Sequence, residues 1–475
     1  MFLSPLARFL RFSIPSKTSK ISALHFSTSC SADIFCTHLQ NKADNLEKSL
    51  NSVNVKLDSN CVRDVLNRYS KTNSLLGLRF FVWAGFQSNY RHTSYMYGEA
   101  CRLFKIKQHP EVVLDLIEAY RVEKCVVNVK TFKVVLNLLK EARVATEALL
   151  VLKKMPEFDL RPDTNAYNVV IRLFSDKGDM DMAQKLMEEM GLIDLYPDMI
   201  TYVSMIKGFC NVGRLEEACG LFKVMRMHGC APNAVAYSTL LDGVCKSGSF
   251  ERSLDLLEKM EKEGGDCNPN VVTYTSVIQA LCEKGRTRDA IGVFDRMEAY
   301  GCAPNRVTMS YLIKGLCMDG HIDEAYKLID RAVVQGGVSY GDCYSSLVVC
   351  LIRTKKVKEA ENIFGRVLSS GLKLDSLACS LMIKELCSEK KVFDGYCLYV
   401  QLEKMGFLYS VDSDIYSVLL AGLCEQNHLV EAAKLAQSML GKRVPLKATY
   451  VDKIVAHLRK YGDEQLVAEL VGIRR

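Results

Sequence analysis

The chain of 475 residues contains no uninterrupted apolar run approaching the roughly 20 residues that a membrane-spanning helix needs. None of its 19 cysteines is spaced C-x-x-C, which excludes the usual zinc frameworks. Phosphate-cradling glycine loops and nucleophile constellations are absent as well. The sequence therefore predicts a protein that is not an enzyme and that has no metal, no cofactor and no membrane segment.

One short motif of catalytic type remains, His109-Pro110-Glu111. The H-x-E triplet belongs to the zinc deaminase signature, which also needs a P-C-x-x-C segment that this chain lacks. We therefore interpret the triplet as the turn that begins a helix. The 28 residues after 447 are too few for an appended catalytic domain.

Acidic residues are missing from residues 1–31, which carry four basic and ten serine or threonine side chains. This composition, with apolar residues at helical spacing, is typical of an organelle transit peptide. Arg8 and Arg11 interrupt the apolar stretch and disfavour a secretory signal. They favour mitochondrial over chloroplast targeting, and a disordered basic tail is the alternative.

Positive charge is scarce in the rest of the chain. The formal net charge is +7, and four of the seven charges lie within residues 1–31, which leaves +3 for the remainder. A balance this small does not by itself indicate a nucleic-acid partner.

An internal repeat is present instead. The word GCAPN occurs at 229–233 and again at 301–305. Alignment on a recurrent tyrosine gives repeats of 35 or 37 residues that begin at 129, 164, 199, 234, 271, 306, 341, 376 and 413, and a poorer repeat begins at 92. Such a period indicates a stack of similar supersecondary elements.

Each repeat shows two amphipathic helical patterns separated by a break. In the repeat at 199, Tyr202, Met205, Ile206 and Phe209 form an i, i+3, i+4, i+7 stripe, and Gly213 follows. A glycine and then Pro-Asp or Pro-Asn end most repeats, which stops one helix and caps the next. Small residues recur at two further positions, an alanine in the second helix and a cysteine in the first, and both are expected to pack between helices.

A hairpin of this kind cannot bury its apolar face alone, whereas stacked neighbours can. The sequence therefore predicts an all-α fold, a right-handed superhelical α-solenoid of stacked helix-turn-helix hairpins of about 35 residues each. Tetratricopeptide repeats have a similar period but carry a tryptophan and Leu-Gly in their first helix. The single tryptophan here, Trp83, lies outside the clear repeats.

The repeats read V-x-T-Y-[N/S/T]-x-L-I-x-G-x-C…G…A…F…M…G…P-[D/N], which closely resembles the pentatricopeptide repeat family in its plain P-type form. The resemblance covers 92–447 as ten repeats, with a linker and degenerate helical N-terminal cap at 32–91 and a partial C-terminal capping repeat at 448–475. The stretch RFFVWAGFQSNYRHTSYMY (79–97) resembles the N-terminal segment of plant organellar members.

The resemblance implies sequence-specific binding of single-stranded RNA, one nucleotide per repeat, in organellar RNA metabolism. In the family, the fifth and last residues of a repeat contact the base edge, and the second residue packs against the base. The implied base-reading pairs are Asn168 with Asp198 for U, Ser238 with Asn270 and Thr275 with Asn305 for A, and Ser345 with Asp375 and Ser380 with Asp412 for G. The implied base-packing residues are Ile200, Val235, Val272, Val307 and Leu377.

Five repeats, those at 92, 129, 199, 306 and 413, depart from the pattern and imply no base. Their pairs are Met96 with Asn128, Lys133 with Asp163, Val203 with Asn233, Ser310 with Tyr340, and Ser417 with Lys447 or Leu446. The polar residues Asn165, Asp342 and Asp414 replace the aliphatic packing residue in three repeats. Because family members read RNA 5′ to 3′ from the N terminus, the implied site is n-n-U-n-A-A-n-G-G-n.

Two alternatives stay open at this point. The Asp and Asn residues that end the repeats can serve as helix N-caps with no further role. The modest charge and the departing repeats are also compatible with a protein-binding α-solenoid scaffold, for example one associated with the organellar ribosome. The basic residues of the second helices are expected to form a solvated face, from which some would meet phosphates. We expect a monomer that acts alone or with a separate RNA-processing factor.

Overall fold

The structure is a computed structural model that describes residues 31–40, 46–53, 55–407, 413–442, 444, 448–461 and 468. The predicted transit peptide lies outside these ranges except for Ser31, and so do Asp412, Leu446 and Lys447. All regular secondary structure within the described ranges is helical. The predicted all-α class is therefore confirmed.

The helices belong to two compact bodies, an N-terminal body up to Leu240 and a C-terminal body from Leu241, and the boundary lies within the helix Ala234–Lys246. The other helices of the N-terminal body are 31–40, Leu46–Asn51, Ser59–Thr72, Ser74–Ala84, Ser94–Leu103, Glu111–Val122, Val129–Ala142, Ala145–Lys154, Met155–Phe158 (a 3₁₀ turn), Thr164–Lys177, Met180–Leu192, Met199–Asn211 and Leu215–Met227. Those of the C-terminal body are Phe250–Glu263, Gly265–Cys267 (3₁₀), Val271–Glu283, Thr287–Ala299, Arg306–Asp319, Ile322–Val334, Tyr340–Arg353, Val357–Ser369, Ser376–Ser388, Val392–Lys404, Ser413–Glu425, Leu429–Gly441 and Ala448–Tyr461.

From 129 onwards, the first helix of each repeat begins at the residue that the alignment chose, except in the repeat at 341, where it begins one residue earlier at Tyr340. The break between the two helices is a residue in the left-handed region, which L side chains avoid and glycine tolerates. The glycines of this position have φ between 72° and 86°, and they are Gly178, Gly213, Gly248, Gly285 and Gly320. Where glycine is missing, arginine, lysine or asparagine adopts the same conformation, at Arg143, Lys355, Lys390 and Asn427.

Stacking of neighbouring hairpins forms the core of each body. First helices contact first helices of the next repeat, as Thr164–Lys177 contacts Met199–Asn211. The stripe Tyr202, Met205, Ile206 and Phe209 is buried as predicted. The recurrent second-helix alanines are fully buried, and they are Ala148, Ala183, Ala218, Ala290, Ala325, Ala360 and Ala432. A larger side chain at those positions would force the two helices of a hairpin apart.

The recurrent cysteines are packing residues. Cys245, Cys282, Cys317 and Cys424 are buried, and Cys210 and Cys387 are half-buried. Burial raises the pKa of the Cys282 thiol to about 12, so this group stays protonated at neutral pH.

The segment before the repeats packs as part of the N-terminal body. Phe35, Phe80 and Trp83 form an aromatic cluster with centroid distances of 5.4–5.7 Å. The Trp83 indole donates a hydrogen bond to Asn51 Oδ1 at 2.8 Å. The Arg79 guanidinium, whose side chain is 5% exposed, binds Glu47 at 2.9 Å and Glu123 at 2.7 Å. The contact with Glu123 joins the helix Ser74–Ala84 to the repeat at 92.

The His109-Pro110-Glu111 triplet begins the helix Glu111–Val122, as predicted, and His109 Nδ1 lies 3.1 Å from Glu111 Oε1 on the surface. Within the described part of the chain, no three His, Cys, Asp or Glu side chains converge as metal ligands would. No described helix combines the length and the apolarity that a bilayer crossing requires.

His92 is enclosed by three aromatic rings in the N-terminal body. It stacks on Phe81 with centroids 3.8 Å apart, and Tyr90 and Tyr97 contact it edge-on. Nε2 donates to the Phe81 carbonyl at 2.8 Å, and Nδ1 of the neutral ring accepts from the Tyr90 hydroxyl at 3.2 Å. Burial lowers the pKa of His92 to about 4, and the hydrogen bond to Phe81 opposes this only in part.

Lowering the pH from 7.5 to 5 is therefore expected to destabilise the N-terminal body by about 2 kcal/mol. The unfolded chain takes up a proton below its ordinary histidine pKa of 6.5, whereas folded His92 stays neutral until the pH approaches about 4. Stability that is present above pH 6.5 is thus lost as the pH falls. Urea unfolding followed by the fluorescence of Trp83, the single tryptophan, measures this loss. His92→Gln keeps an N–H donor without titrating, so its stability should depend on pH much less. An equal dependence in both proteins would contradict this assignment.

Candidate nucleic-acid interface

The five predicted base-packing residues are exposed aliphatic side chains at the start of first helices. Their exposed fractions lie between 51% and 67%, in Ile200, Val235, Val272, Val307 and Leu377. A recurrent aliphatic side chain in water contributes little to a fold, because hydrophobic stabilisation needs burial. These positions are therefore available to cover an apolar ligand surface such as the face of a base.

The pair Asn168 and Asp198 forms one hydrogen-bonded group. Asn168 Nδ2 donates to Asp198 Oδ1 at 3.0 Å, although the two residues belong to adjacent helical hairpins. The Thr201 hydroxyl donates to Asn168 Oδ1 at 2.5 Å and accepts from the Asp198 amide at 3.1 Å. Asp198 Oδ2 accepts no hydrogen bond from the residues that the structure describes. Asp198 Oδ2 thus belongs to a carboxylate that is held in place, and it can accept a hydrogen bond from a ligand.

The pair Thr275 and Asn305 is joined through the hydroxyl of a third residue, Thr308. The Thr275 and Thr308 hydroxyl oxygens lie 2.7 Å apart, and Thr308 donates both its amide and its hydroxyl to Asn305 Oδ1, at 2.9 and 3.0 Å. Since Asn305 Oδ1 is used in this way, its Nδ2 group is left as a donor, and it has no partner among the described residues. The Thr275–Asn305 group thus presents N–H donors, whereas the Asn168–Asp198 group presents an acceptor.

The pair Ser345 and Asp375 is in direct contact. The buried Ser345 hydroxyl donates to the Gly341 carbonyl at 2.6 Å and accepts from the Asp375 amide at 2.8 Å. Asp375 Oδ1 accepts from the Ala378 amide at 2.8 Å, and its Oδ2 accepts from the Arg306 guanidinium. Both carboxylate oxygens of this pair are therefore engaged.

For two of the predicted pairs, the structure does not describe both residues within one body. Ser238 belongs to the N-terminal body and Asn270 to the C-terminal body. Ser380 is half-buried, and its predicted partner Asp412 lies outside the described residues. Both pairs stay predictions.

The residues that end the repeats do cap helices. Their side-chain oxygens accept backbone amides at the start of the next helix, and they are Asp198, Asn270, Asn305 and Asp375. Capping occupies Oδ1 in each case, which leaves the second polar atom of the side chain for another role. These residues therefore do cap helices, and whether they also contact bases stays a prediction.

A threonine at the third position of the next repeat connects these pairs, and it was not among the predicted site residues. This threonine is at most 3% exposed in Thr131, Thr201, Thr273 and Thr308. The sequence did contain a signal for this residue, because a threonine recurs directly before the buried tyrosine. A buried hydroxyl needs hydrogen-bond partners, and the fifth and last residues supply them at Thr201 and Thr308.

A basic groove runs along the first helices of the N-terminal body. It consists of three adjoining cavities of about 430, 210 and 280 Å³, which share Lys133 and Asn137 at one junction and Arg172 and Ile200 at the other. Six basic side chains line it against two acidic ones, and they are Arg91, Lys130, Lys133, Lys140, Arg172 and Lys207 against Asp163 and Asp176. The excess of cations favours an anionic ligand.

Several basic side chains of the second helices form ion pairs with neighbouring repeats. Arg296 binds Glu261 at 2.6 Å, Arg331 binds Asp295 at 2.6 Å and Lys153 binds Glu189 at 2.5 Å, each pair joining neighbouring repeats. These paired cations are poor candidates for phosphate contacts. The expectation that some basic residues of the second helices meet phosphates stays a prediction, and the groove on the first helices is a further candidate surface.

Comparison with known proteins bears on the repeats themselves. The PPR repeat family model matches residues 162–211, 197–246 and 269–318, and the PPR repeat model matches 235–265, 307–336 and 342–372. A pentatricopeptide repeat-containing protein of Arabidopsis thaliana is 50% identical over 469 residues, which are 98% of each chain. The chain belongs to the pentatricopeptide repeat family.

A second Arabidopsis thaliana member, named as mitochondrial, is 33% identical over 26% of this chain and 23% of its own length. Among solved structures, the pentatricopeptide repeat protein PPR10 in complex with an 18-nt psaJ RNA element superposes with a TM-score of 0.51 at 19% identity. That match covers 93% of this chain and 63% of PPR10. At this identity the likeness concerns the fold alone, and it agrees with the stacked hairpins described above.

Proposed function

We propose that this pentatricopeptide repeat protein binds single-stranded RNA sequence-specifically and acts in RNA metabolism by occupying its site. The observation that carries the proposal is the recurrent arrangement of an exposed aliphatic side chain beside a preformed polar group at Asn168–Asp198 and Thr275–Asn305. A base would stack on the first and present its Watson–Crick edge to the second. PPR10, a family member of similar fold, is described in complex with an RNA element.

The polar groups match the bases that the family pattern implies. The Asp198 carboxylate oxygen would accept the N–H of uracil, and the Asn305 amide would donate to adenine, whose edge carries a ring-nitrogen acceptor. The basic groove would receive the phosphates of the 5′ part of the site. The proposed site is n-n-U-n-A-A-n-G-G-n, read from the N terminus.

Occupancy of RNA would block an exonuclease, prevent a hairpin or mark a processing site without any catalytic step by this chain. We propose a plain P-type, non-catalytic monomer in mitochondria. The relatives named as mitochondrial and the basic, acid-free residues 1–31 support this location. A separate factor would carry out any RNA cleavage.

Asn305→Asp is expected to change the preference at nucleotide 6 of the site from A towards G by about tenfold. The variant keeps the cap on the helix Arg306–Asp319, because a carboxylate accepts the Thr308 amide as the Asn305 oxygen does. It replaces an N–H donor by an acceptor, which suits the donors of a guanine edge. Competition binding with RNAs that differ only at nucleotide 6 measures the change.

Asn233→Asp is the matched control, since Asn233 stands in an identical GCAPN word and also caps its helix, through the Val235 and Ala236 amides at 3.1 Å. Its fifth-position partner Val203 offers no polar group, so the preference at nucleotide 4 should not change. A shift in both variants, or in neither, would show that the assigned register is wrong. RNA selection without an enriched motif and without salt-sensitive binding would instead favour the protein-binding scaffold.

A further inference from the structure

Arg306 reaches from its own repeat to the recognition positions of the next one. It is the first residue of the helix Arg306–Asp319, and its guanidinium lies 3.5 Å from an Asp342 oxygen. The same group forms an ion pair and a hydrogen bond with Asp375 Oδ2, 69 residues along the chain. The Arg306 side chain is 54% exposed, whereas that of Asp375 is 21% exposed. The contact thus covers a carboxylate that would otherwise face outward.

Both partners of Arg306 stand at positions that the family pattern assigns to base recognition in the repeat at 341. Asp375 is the last residue of that repeat and is held by the Ser345 hydroxyl through its amide. Asp342 is the second residue, where other repeats carry an exposed aliphatic side chain such as Val307. Arg306 therefore contacts two of the three residues that form the predicted site for nucleotide 8.

The chemistry of the guanidinium explains why this site attracts it. A guanidinium offers neighbouring coplanar N–H donors, and here one terminal nitrogen binds Asp375 Oδ2 while the other lies 3.5 Å from Asp342 Oδ1. The Watson–Crick edge of guanine offers the same pattern, a ring N–H next to an exocyclic amino group. A carboxylate placed to accept guanine is therefore also a good acceptor for arginine.

We propose that Arg306 is an internal ligand of the guanine-reading site of the repeat at 341 and competes with nucleotide 8 for Asp375. The inference rests on the proposed RNA-binding function. The free protein holds this site closed by an autoinhibitory contact, and guanine is read there only when Arg306 has left. The affinity for guanine at nucleotide 8 is lowered by the fraction of molecules in which the contact is formed.

Arg306→Gln tests this competition. The variant removes the charge and the paired donors but keeps a polar side chain of similar length. Affinity for RNA with G at nucleotide 8 is expected to rise about threefold to tenfold, as is typical when a partly exposed ion pair no longer competes. Affinity for RNA with A at nucleotide 8 should change little, and so should the preference at nucleotide 6. Equilibrium titrations of the full chain with these RNAs measure both.

Two further variants make the result specific. Arg331→Gln removes another arginine with two carboxylate partners, Asp295 and Glu298, on a second helix, and it should not alter any base preference. In Arg306→Gln/Asp375→Asn the gain for guanine should disappear, because no carboxylate is left to be released. Asparagine still caps the helix Ser376–Ser388.

The other outcomes each decide the question. If Arg306→Gln weakens binding to all the RNAs and lowers the salt dependence, Arg306 is a phosphate contact and the inference is wrong. Binding that is unchanged for both bases also overturns it, while the proposed function stands. If neither protein binds RNA, the proposed function fails and the inference fails with it.

Discussion

Replacing Lys133, Lys140 and Arg172 together by glutamine is expected to weaken RNA binding about a hundredfold in 0.1 M salt. The three side chains line one cavity of the groove, beside Asn168 and Ile200. Lys133 and Lys140 make no ion pair within the described ranges, and Arg172 meets a carboxylate only at 3.8 Å, in Asp176. Their charges are therefore available to phosphates.

The magnitude follows from counterion release. Each phosphate contact with single-stranded RNA releases about 0.7 of a counterion, so one lost contact costs roughly fivefold in affinity at 0.1 M salt. Three lost contacts should also reduce the slope of log K against log salt by about 2. Titrations at several salt concentrations measure both quantities, and base preferences should be kept.

A triple variant with the same change of net charge provides the control. Lys185, Lys223 and Lys259 are exposed on second helices, outside the groove. Their replacement by glutamine should lower affinity by less than about threefold, through the long-range field alone. Equal losses in the two triple variants would indicate that RNA does not follow the groove.

Arg79→Met is expected to destabilise the N-terminal body by about 3 kcal/mol or more. Burial alone would lower the pKa of Arg79, but Glu47 and Glu123 raise it, so the guanidinium is charged and held by two carboxylates. The variant leaves Glu47, whose side chain is 20% exposed, without its cation. Trp83, one turn further along the same helix, reports the loss through its fluorescence in urea unfolding.

Two comparisons separate this effect from lost side-chain volume. Glu47→Gln added to Arg79→Met should recover about 1 kcal/mol or more, because the stranded charge is removed. Arg68→Met breaks a pair with Asp33 whose side chains are 46% and 57% exposed, and it should cost less than about 1 kcal/mol. Equal effects of Arg79→Met and Arg68→Met would contradict the role assigned to burial.

The helix that carries Arg79 leads into Gly85 and Phe86, which line the groove, so the less stable variant should also bind RNA more weakly.

The periodic features of this protein were predictable because they are local. A helix begins after Asp or Asn and ends at a left-handed residue such as Gly178 through contacts within a few residues. The burial of Tyr202 and the exposure of Ile200 follow from helical spacing once one face is known to be packed. Since stacked repeats bury their apolar faces against their neighbours, residues of the same kind recur at the same positions of each repeat.

The sequence by itself therefore determined the all-α fold, the hairpin repeat, its starting residues and the candidate positions for reading bases. Tertiary structure decided which side chains meet between repeats. The bridge from Asn168 to Asp198 through Thr201, the basic groove around Lys133, and the reach of Arg306 to Asp375 all depend on the rotation and rise from one hairpin to the next. Helical spacing fixes the face on which a side chain lies, but the reach of a long side chain across neighbouring hairpins depends on their packing.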